Sequence, residues 1–105
     1  MLKKFTVFQT AKEFHWECKS LKVPRYLQDQ LLRASASIAL NIAEGSGKRT
    51  VADQARFYSI ALGSLRECQA ILELERIVDP HLKDLVNQLG AMLFKLSRRN
   101  AKSEI

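Results

Sequence analysis

A scarcity of four residue types sets the first limits on this chain. Its 105 residues include two cysteines, two prolines, four glycines and two histidines. Disulfide scaffolds and zinc sites need cysteine and histidine in closely spaced sets, and Cys18 and Cys68 lie far apart. The uncharged run from Ala34 to Ala43 is too short to span a bilayer. We therefore expect a soluble cytoplasmic protein without metal, cofactor or membrane contact, whose cysteines are reduced core residues rather than a disulfide or metal pair.

Residue types used in catalysis are present but do not form catalytic motifs. His15 and His81 have no HxxxH or ExxH partner, and no serine occupies a nucleophile elbow. The sequence GSGK at residues 45–48 is too short for a phosphate-binding P-loop. A glycine loop that opens a helix can still offer backbone donors to a phosphate, and this remains the alternative. An enzyme is not expected.

Apolar residues recur at helical spacing in four segments, which proline, glycine and capping residues separate. Pro24 fits the first turn of the second helix, and Asp79 followed by Pro80 marks the start of the fourth. Thr50 caps the third helix by accepting from the amide of Asp53. The predicted helices cover residues 5–19, 24–44, 50–78 and 80–99, and residues 100–105 are expected to fray. Residues 1–105 are predicted to form one all-α domain, an antiparallel up-down four-helix bundle.

The third helix has more apolar surface than one stripe. The first stripe comprises Phe57, Ala61, Ser64, Cys68, Ile71, Glu75 and Val78, and the second comprises Tyr58, Leu62, Leu65 and Leu72. Two stripes indicate that the helix has neighbours on two sides. Gly63 lies in the middle of this helix at a cost of about 1 kcal/mol relative to alanine, so a close helix contact is expected there.

The second helix ends in an unusual combination of residues. Gly45 suits a left-handed cap, but Glu44 places a negative charge where the helix dipole is already negative, so it needs a partner. The predicted partner is Arg56, near the start of the third helix. Asn41 lies beside the apolar stripe and must find hydrogen bonds if it is buried. We expect a structural motif that fixes the connection to Thr50, and a polar ligand site is the alternative. The motif residues are Asn41, Glu44, Gly45 and Arg56.

Aromatic residues exceed what one small core needs. Trp16, for example, lies well around the first helix from Phe14. Excess apolar surface is typical of an interface between subunits. The predicted interface residues are Phe5, Phe8, Trp16 and Tyr58. The alternative is that these side chains cover the ends of the bundle.

Acidic residues are also in short supply. Eleven of them face seventeen lysines and arginines, which gives a formal net charge of +6. Such an excess favours an anionic partner, of which nucleic acid is the commonest. The predicted phosphate-contacting residues are Lys48, Arg49, Arg56, Arg66, Lys95, Arg98 and Arg99. The alternative is that these charges are a solvated surface.

Two stretches of the chain resemble a known family. The most specific motifs of that family are NIAEG and ALGS. They lie in LLRASASIALNIAEG at residues 31–45 and in ARFYSIALGSLRE at residues 55–67. They resemble the bacterial four-helix-bundle proteins encoded in intervening sequences of 23S ribosomal RNA genes. Leu32 departs from that family, which usually has a second arginine beside Arg33. The family is similar to the accessory (variability determinant) protein of diversity-generating retroelements, a basic pentameric bundle that binds nucleic acid and its reverse transcriptase.

The resemblance implies a homo-oligomeric ring, with a pentamer favoured, and RNA or DNA as partner. A closed ring would concentrate the +6 of each chain into a strong positive field. Together with the net charge, the resemblance predicts a non-enzymatic oligomeric accessory protein that contacts phosphates rather than base edges. The alternative is a protein–protein assembly module without direct nucleic-acid binding, such as an accessory subunit of a reverse transcriptase.

Overall fold

Four α-helices account for most of the chain. The computed structural model describes residues 5–99, which contain no strand. The helices are α1 (Thr6–Lys19), α2 (Arg25–Ser46), α3 (Val51–Leu74) and α4 (Pro80–Ser97). The predicted all-α class is confirmed, whereas the fraying predicted for residues 100–105 lies outside the described residues. Within residues 5–99, no helix is long and apolar enough to cross a membrane.

Two helices start at the capping residues that the sequence predicts. The Thr50 hydroxyl accepts a hydrogen bond from the amide of Asp53 at 3.1 Å, at the start of α3. At the start of α4, Asp79 Oδ1 accepts from the amides of His81 and Leu82 at 2.9 and 3.0 Å. These bonds satisfy backbone donors that have no partner inside the helix, and a cap of this kind typically stabilises by about 1 kcal/mol. Both predicted caps are confirmed.

The end of α3 differs from the prediction, because the helix stops at Leu74 rather than near Val78. Arg76 has a φ of 54°, in the left-handed region, and the amide of Ile77 donates to the carbonyl of Leu72 at 2.9 Å. This arrangement is a Schellman motif, which usually has glycine at the left-handed position. Val78, predicted to lie on the core stripe, is consequently 92% exposed.

One apolar core lies between the four helices. α1 packs against α2 and α4, and α3 packs against the same two helices. Each helix turns one stripe inward. The largest fully buried apolar side chains include Phe14, Leu31, Ile38, Ile42, Leu65, Leu89 and Leu93. Burial of each such side chain contributes about 1.5–3 kcal/mol relative to its exposure, which makes this core the main stabilising term.

The buried face of α3 combines residues from both predicted stripes. Its buried residues are Tyr58, Ala61, Leu65, Cys68 and Ile71. Phe57 and Ser64, predicted on the first stripe, are only half-buried, and Glu75 lies beyond the last turn. Because α3 packs against both α2 and α4, the prediction of neighbours on two sides is confirmed.

Two glycines have roles that differ from the predicted ones. Gly45 is not a left-handed cap: it is buried within α2, which continues to Ser46, and it has no positive φ. A Cβ on Gly45 would lie 3.0 Å from both Phe57 Cβ and Tyr58 Cε1, so the close approach of α3 requires glycine here. A Cβ on Gly63 would have no neighbour within 4 Å, so the close helix contact predicted there is wrong.

Alanine substitutions at the two glycines are expected to change stability in opposite directions. Gly45→Ala should lower the free energy of unfolding by about 1–3 kcal/mol, because the new methyl group must push α2 and α3 apart. Gly63→Ala should raise it by about 0.5–1 kcal/mol, because the site is open and alanine restricts the unfolded chain. Urea denaturation of both variants measures the difference, and equal effects would contradict this account of the α2–α3 contact.

Candidate functional site

Tyr58 marks the end of the molecule where most of the predicted basic residues lie. Its side chain is buried, and its ring meets that of Phe5 edge-on, with 6.3 Å between centroids. Gly45 lies against the same ring. Burial raises the pKa of Tyr58, and the positive charge of Arg99, just beyond α4, partly offsets that rise. All four helices therefore bring one terminus to this place. We define the Tyr58 end as residues 5–9, 44–58 and 94–99.

Charge is distributed unequally between the two ends of the molecule. The Tyr58 end contains six lysines and arginines and two carboxylates. At the opposite end lie the α1–α2 and α3–α4 connections, and residues 15–29 and 71–84 there contain five basic and six acidic residues. Positive charge is thus concentrated at the Tyr58 end, which makes it the candidate site for an anionic ligand.

The structure brings together six of the seven predicted phosphate-contacting residues. The six at the Tyr58 end are Lys48, Arg49, Arg56, Lys95, Arg98 and Arg99. Arg66 lies further along α3, about 15 Å from Arg56 at a rise of 1.5 Å per residue. A ligand held at the Tyr58 end reaches Arg66 only if it extends along α3.

Lys48, Arg56 and Phe57 form a group that we call the Phe57 cluster. Lys48 Nζ and Arg56 Cζ lie 5.0 and 4.7 Å from the centroid of the Phe57 ring. Lys48 also pairs with Glu44, with 3.2 Å between Nζ and Oε2. The predicted pair between Glu44 and Arg56 is therefore wrong. Lys48 follows Glu44 by one helical turn, the spacing at which side chains on one helix meet.

Hydrogen bonds around the end of α2 also differ from the predicted motif. Asn41 Nδ2 donates to the carbonyl and the hydroxyl of Ser37, at 2.8 and 3.0 Å, and the Ser37 hydroxyl lies 2.9 Å from that of Ser64. The Ser37–Ser64 contact therefore links α2 to α3, and Asn41 supports it from within α2 rather than fixing the connection. That role belongs to Gln54, whose Nε2 donates to the carbonyl of Lys48 at 2.9 Å.

An open groove between the start of α1 and the end of α4 holds the other three basic residues. Its volume is about 770 Å³, and apolar side chains provide most of its lining. We call it the α4 groove. Its lining residues are Phe5, Thr6, Val7, Met92, Phe94, Lys95, Leu96, Arg98 and Arg99. The groove therefore places an apolar floor beside three cations.

Phe94 is the aromatic residue that the sequence interpretation missed in this groove. Its side chain is 46% exposed, and Arg98 Cζ lies 4.3 Å from the centroid of its ring. The sequence feature that could have identified Phe94 is its position. It lies off the core stripe that includes Leu93, and it is followed directly by Lys95. An exposed aromatic residue next to cations is typical of surfaces that bind nucleic acid.

The aromatic residues predicted at a subunit interface have different environments. Tyr58 is 3% exposed and belongs to the core, so its assignment to an interface is wrong. Phe5 and Phe8 are half-buried against the core. Trp16 is 61% exposed, and Lys19 Nζ lies 4.7 Å from the centroid of its ring. The other large apolar side chains exposed among the described residues are Tyr26, Leu40, Ile60, Leu74, Val78 and Phe94.

His81 connects the start of α4 to α1 at the end opposite Tyr58. Its Nε2 lies 2.8 Å from Glu13 Oε2 and 3.7 Å from Glu17 Oε1. Within residues 5–99, these three side chains are the group whose ligand atoms are close enough together to hold a metal ion. The expectation of no metal rested on spacing within the sequence, and this trio comes from two helices. We interpret it as an exposed polar contact between α1 and α4.

Among residues 5–99, the buried titratable groups do not form a catalytic arrangement. Cys18 and Cys68 are both free and buried, in agreement with the predicted core role. Burial raises the pKa of Cys18 to about 12, despite a hydrogen bond from Ser35, and burial also raises the pKa of Cys68. His15 Nδ1 lies 2.6 Å from the hydroxyl of Ser35. These groups hold α1 to its neighbours, and neither thiol is available as a nucleophile at neutral pH.

His15 is expected to make the fold less stable in mild acid. Burial, and secondarily the positive charge of Lys19, lower the pKa of His15 from its ordinary value of about 6.5. Below that value the unfolded chain binds a proton that the folded chain resists, so stability is fully present above about pH 6.5 and falls as the pH drops towards the folded pKa. NMR titration of the His15 ring should give a pKa below 6.5. In His15→Gln, the part of the acid-side slope of unfolding free energy that is due to His15 should disappear.

Comparison with known proteins identifies a family. The family model described as "23S rRNA-intervening sequence protein" matches residues 3–101. Searches of curated proteins and of solved structures found no match. Because the family match covers almost the whole chain, the resemblance of NIAEG and ALGS to that family is confirmed. The chain belongs to the 23S rRNA-intervening sequence protein family.

Proposed function

We propose that this chain is a non-enzymatic cytoplasmic protein that binds RNA or DNA through phosphate contacts at the Tyr58 end. The observation that carries this proposal is the unequal charge of the two ends, since six basic residues at the Tyr58 end accompany two carboxylates. Polyanions are attracted to such concentrated positive charge, and lysine and arginine contact phosphate without reading sequence.

Most of these cations remain able to contact a phosphate. Among the six, Lys48 pairs with a carboxylate, whereas Arg56 and Arg98 lie over aromatic rings. A contact with a ring orients a guanidinium but does not neutralise its charge. The family name is consistent with a role related to ribosomal RNA genes, and the basic end suggests a nucleic acid as the direct ligand.

We further propose an antiparallel up-down bundle that assembles into a homo-oligomeric ring, with a pentamer favoured. Contacts of Gly45 with Phe57, and of Ser37 with Ser64, support an antiparallel α2–α3 pair, since later residues of α2 meet earlier residues of α3. Exposed apolar side chains at the end opposite Tyr58 support self-association there. They are Trp16, Tyr26, Leu74 and Val78.

Salt titration tests the nucleic-acid proposal. In filter binding, the logarithm of the association constant should fall linearly with the logarithm of salt concentration, with a slope of about −0.7 to −0.9 per phosphate contacted. The double variant Arg49→Gln/Lys95→Gln should make that slope shallower by about 1.4–1.8 for each chain that contacts the nucleic acid, because it removes two contacts per chain.

A matched double variant controls for net charge. Lys22→Gln/Lys83→Gln removes two exposed lysines at the opposite end and should leave the slope unchanged. Equal reductions of the salt slope in the two double variants would mean that the Tyr58 end is not the binding surface. If the unmodified protein does not bind nucleic acid at low salt, the nucleic-acid proposal is wrong.

A protein–protein assembly module, such as a subunit that accompanies a reverse transcriptase, is the second candidate. The exposure of Trp16 and Val78, at 61% and 92%, favours it, because large exposed apolar side chains are typical of protein contacts. This candidate predicts self-association or partner binding without the salt-dependent binding of nucleic acid described above.

Light scattering at tens of micromolar should detect the oligomer. We expect a mass several times that of one chain, most simply five times, and Trp16→Ala should shift the population towards smaller species because it removes apolar contact area. Phe94→Ala, an aromatic truncation at the Tyr58 end, is the control and should keep the mass. A monomer at these concentrations would exclude the ring.

A further inference from the structure

The α4 groove has chemistry that phosphate contacts alone do not require. Phosphates need cations, yet this groove places an apolar floor beside Lys95, Arg98 and Arg99. A ligand that complements both parts must combine anionic groups with flat apolar surface. Nucleotides have this combination, with phosphates at intervals along a chain of planar bases.

Phe94 provides a surface on which a base can stack. Phe94 is 46% exposed, and the guanidinium of Arg98, 4.3 Å from the ring centroid, adds a second planar group, which is cationic, at the same place. Bases stack on aromatic rings and on guanidinium planes. Phe57 offers less, because it is half-buried and both Lys48 and Arg56 lie over its ring.

Stacking distinguishes single strands from duplexes. In a duplex each base face is covered by its neighbours, so a duplex presents mainly phosphates and groove edges to a protein. An unpaired strand can turn a base out, at little cost, onto an aromatic side chain. The α4 groove therefore favours a single strand, whereas the remaining cations of the Tyr58 end act equally on both forms.

We propose that the α4 groove binds an unpaired base of single-stranded RNA or DNA, stacked on Phe94, with the adjoining phosphates on Lys95 and Arg98. This inference rests on the nucleic-acid binding proposed above and adds to it a preference for single strands. The preference is independent of base identity, because stacking uses the face that every base has.

Fluorescence anisotropy with labelled oligonucleotides tests the preference. The probes are a twelve-nucleotide single strand of mixed sequence, as RNA and as DNA, and a twelve-base-pair duplex, at one fixed salt concentration. Phe94→Leu keeps an apolar side chain but removes the aromatic face. It should weaken single-strand binding by about 5- to 150-fold, the loss typical of one stacked base, and leave duplex binding unchanged. Phe94→Trp should restore the single-strand affinity.

Ile60→Ala is the control, because Ile60 is 44% exposed on α3, outside both the α4 groove and the exposed apolar set at the opposite end, and its replacement should change neither affinity. Circular dichroism melting confirms that each variant is folded. Equal losses for single strand and duplex in Phe94→Leu, or no loss for either, would overturn the stacking inference. If the unmodified protein binds neither probe at low salt, the proposed function itself fails, and this outcome is distinct from binding that does not depend on Phe94.

Discussion

Close contact between α2 and α3 at Gly45 is the constraint on which the arrangement of the candidate site depends. A hydrogen atom is the largest substituent that fits there, because Phe57 Cβ and Tyr58 Cε1 each lie 3.0 Å from the position of a Cβ. The Tyr58 ring can therefore lie against the α2 backbone, inside the core, and also meet the ring of Phe5. The termini of all four helices come together around this one side chain, and their basic residues come with them.

Aromatic rings lie beneath three of those cations. Lys48 and Arg56 lie over the ring of Phe57 and Arg98 lies over that of Phe94, and Lys48 also pairs with the carboxylate of Glu44. A salt bridge would cancel the charge that a polyanion needs, but a cation–π contact leaves it available. The residues that pack this end of the molecule thus include cations on which the proposed nucleic-acid binding rests.

The opposite end has a different character. Its acidic and basic residues nearly balance, and His81 joins α4 to α1 through Glu13 and Glu17. Trp16 and Val78 remain exposed at this end, without the local excess of cations found around Tyr58. The two proposed contacts, with an anionic ligand and with apolar protein surface, are therefore assigned to opposite ends of a molecule that is 46 Å in its longest dimension.

Local sequence signals were sufficient to predict the helices but not the contacts between them. The sequence by itself determined the four helices, the caps at Thr50 and Asp79 and the buried cysteines, because capping and apolar periodicity act between residues a few positions apart. Only the tertiary structure decided that Gly45 lies in close contact with α3, that Gly63 has no such contact with another helix, and that Tyr58 belongs to the core. It also decided which six cations share one end. These outcomes depend on the distance between helix axes and on which termini meet, and helical periodicity carries information about neither.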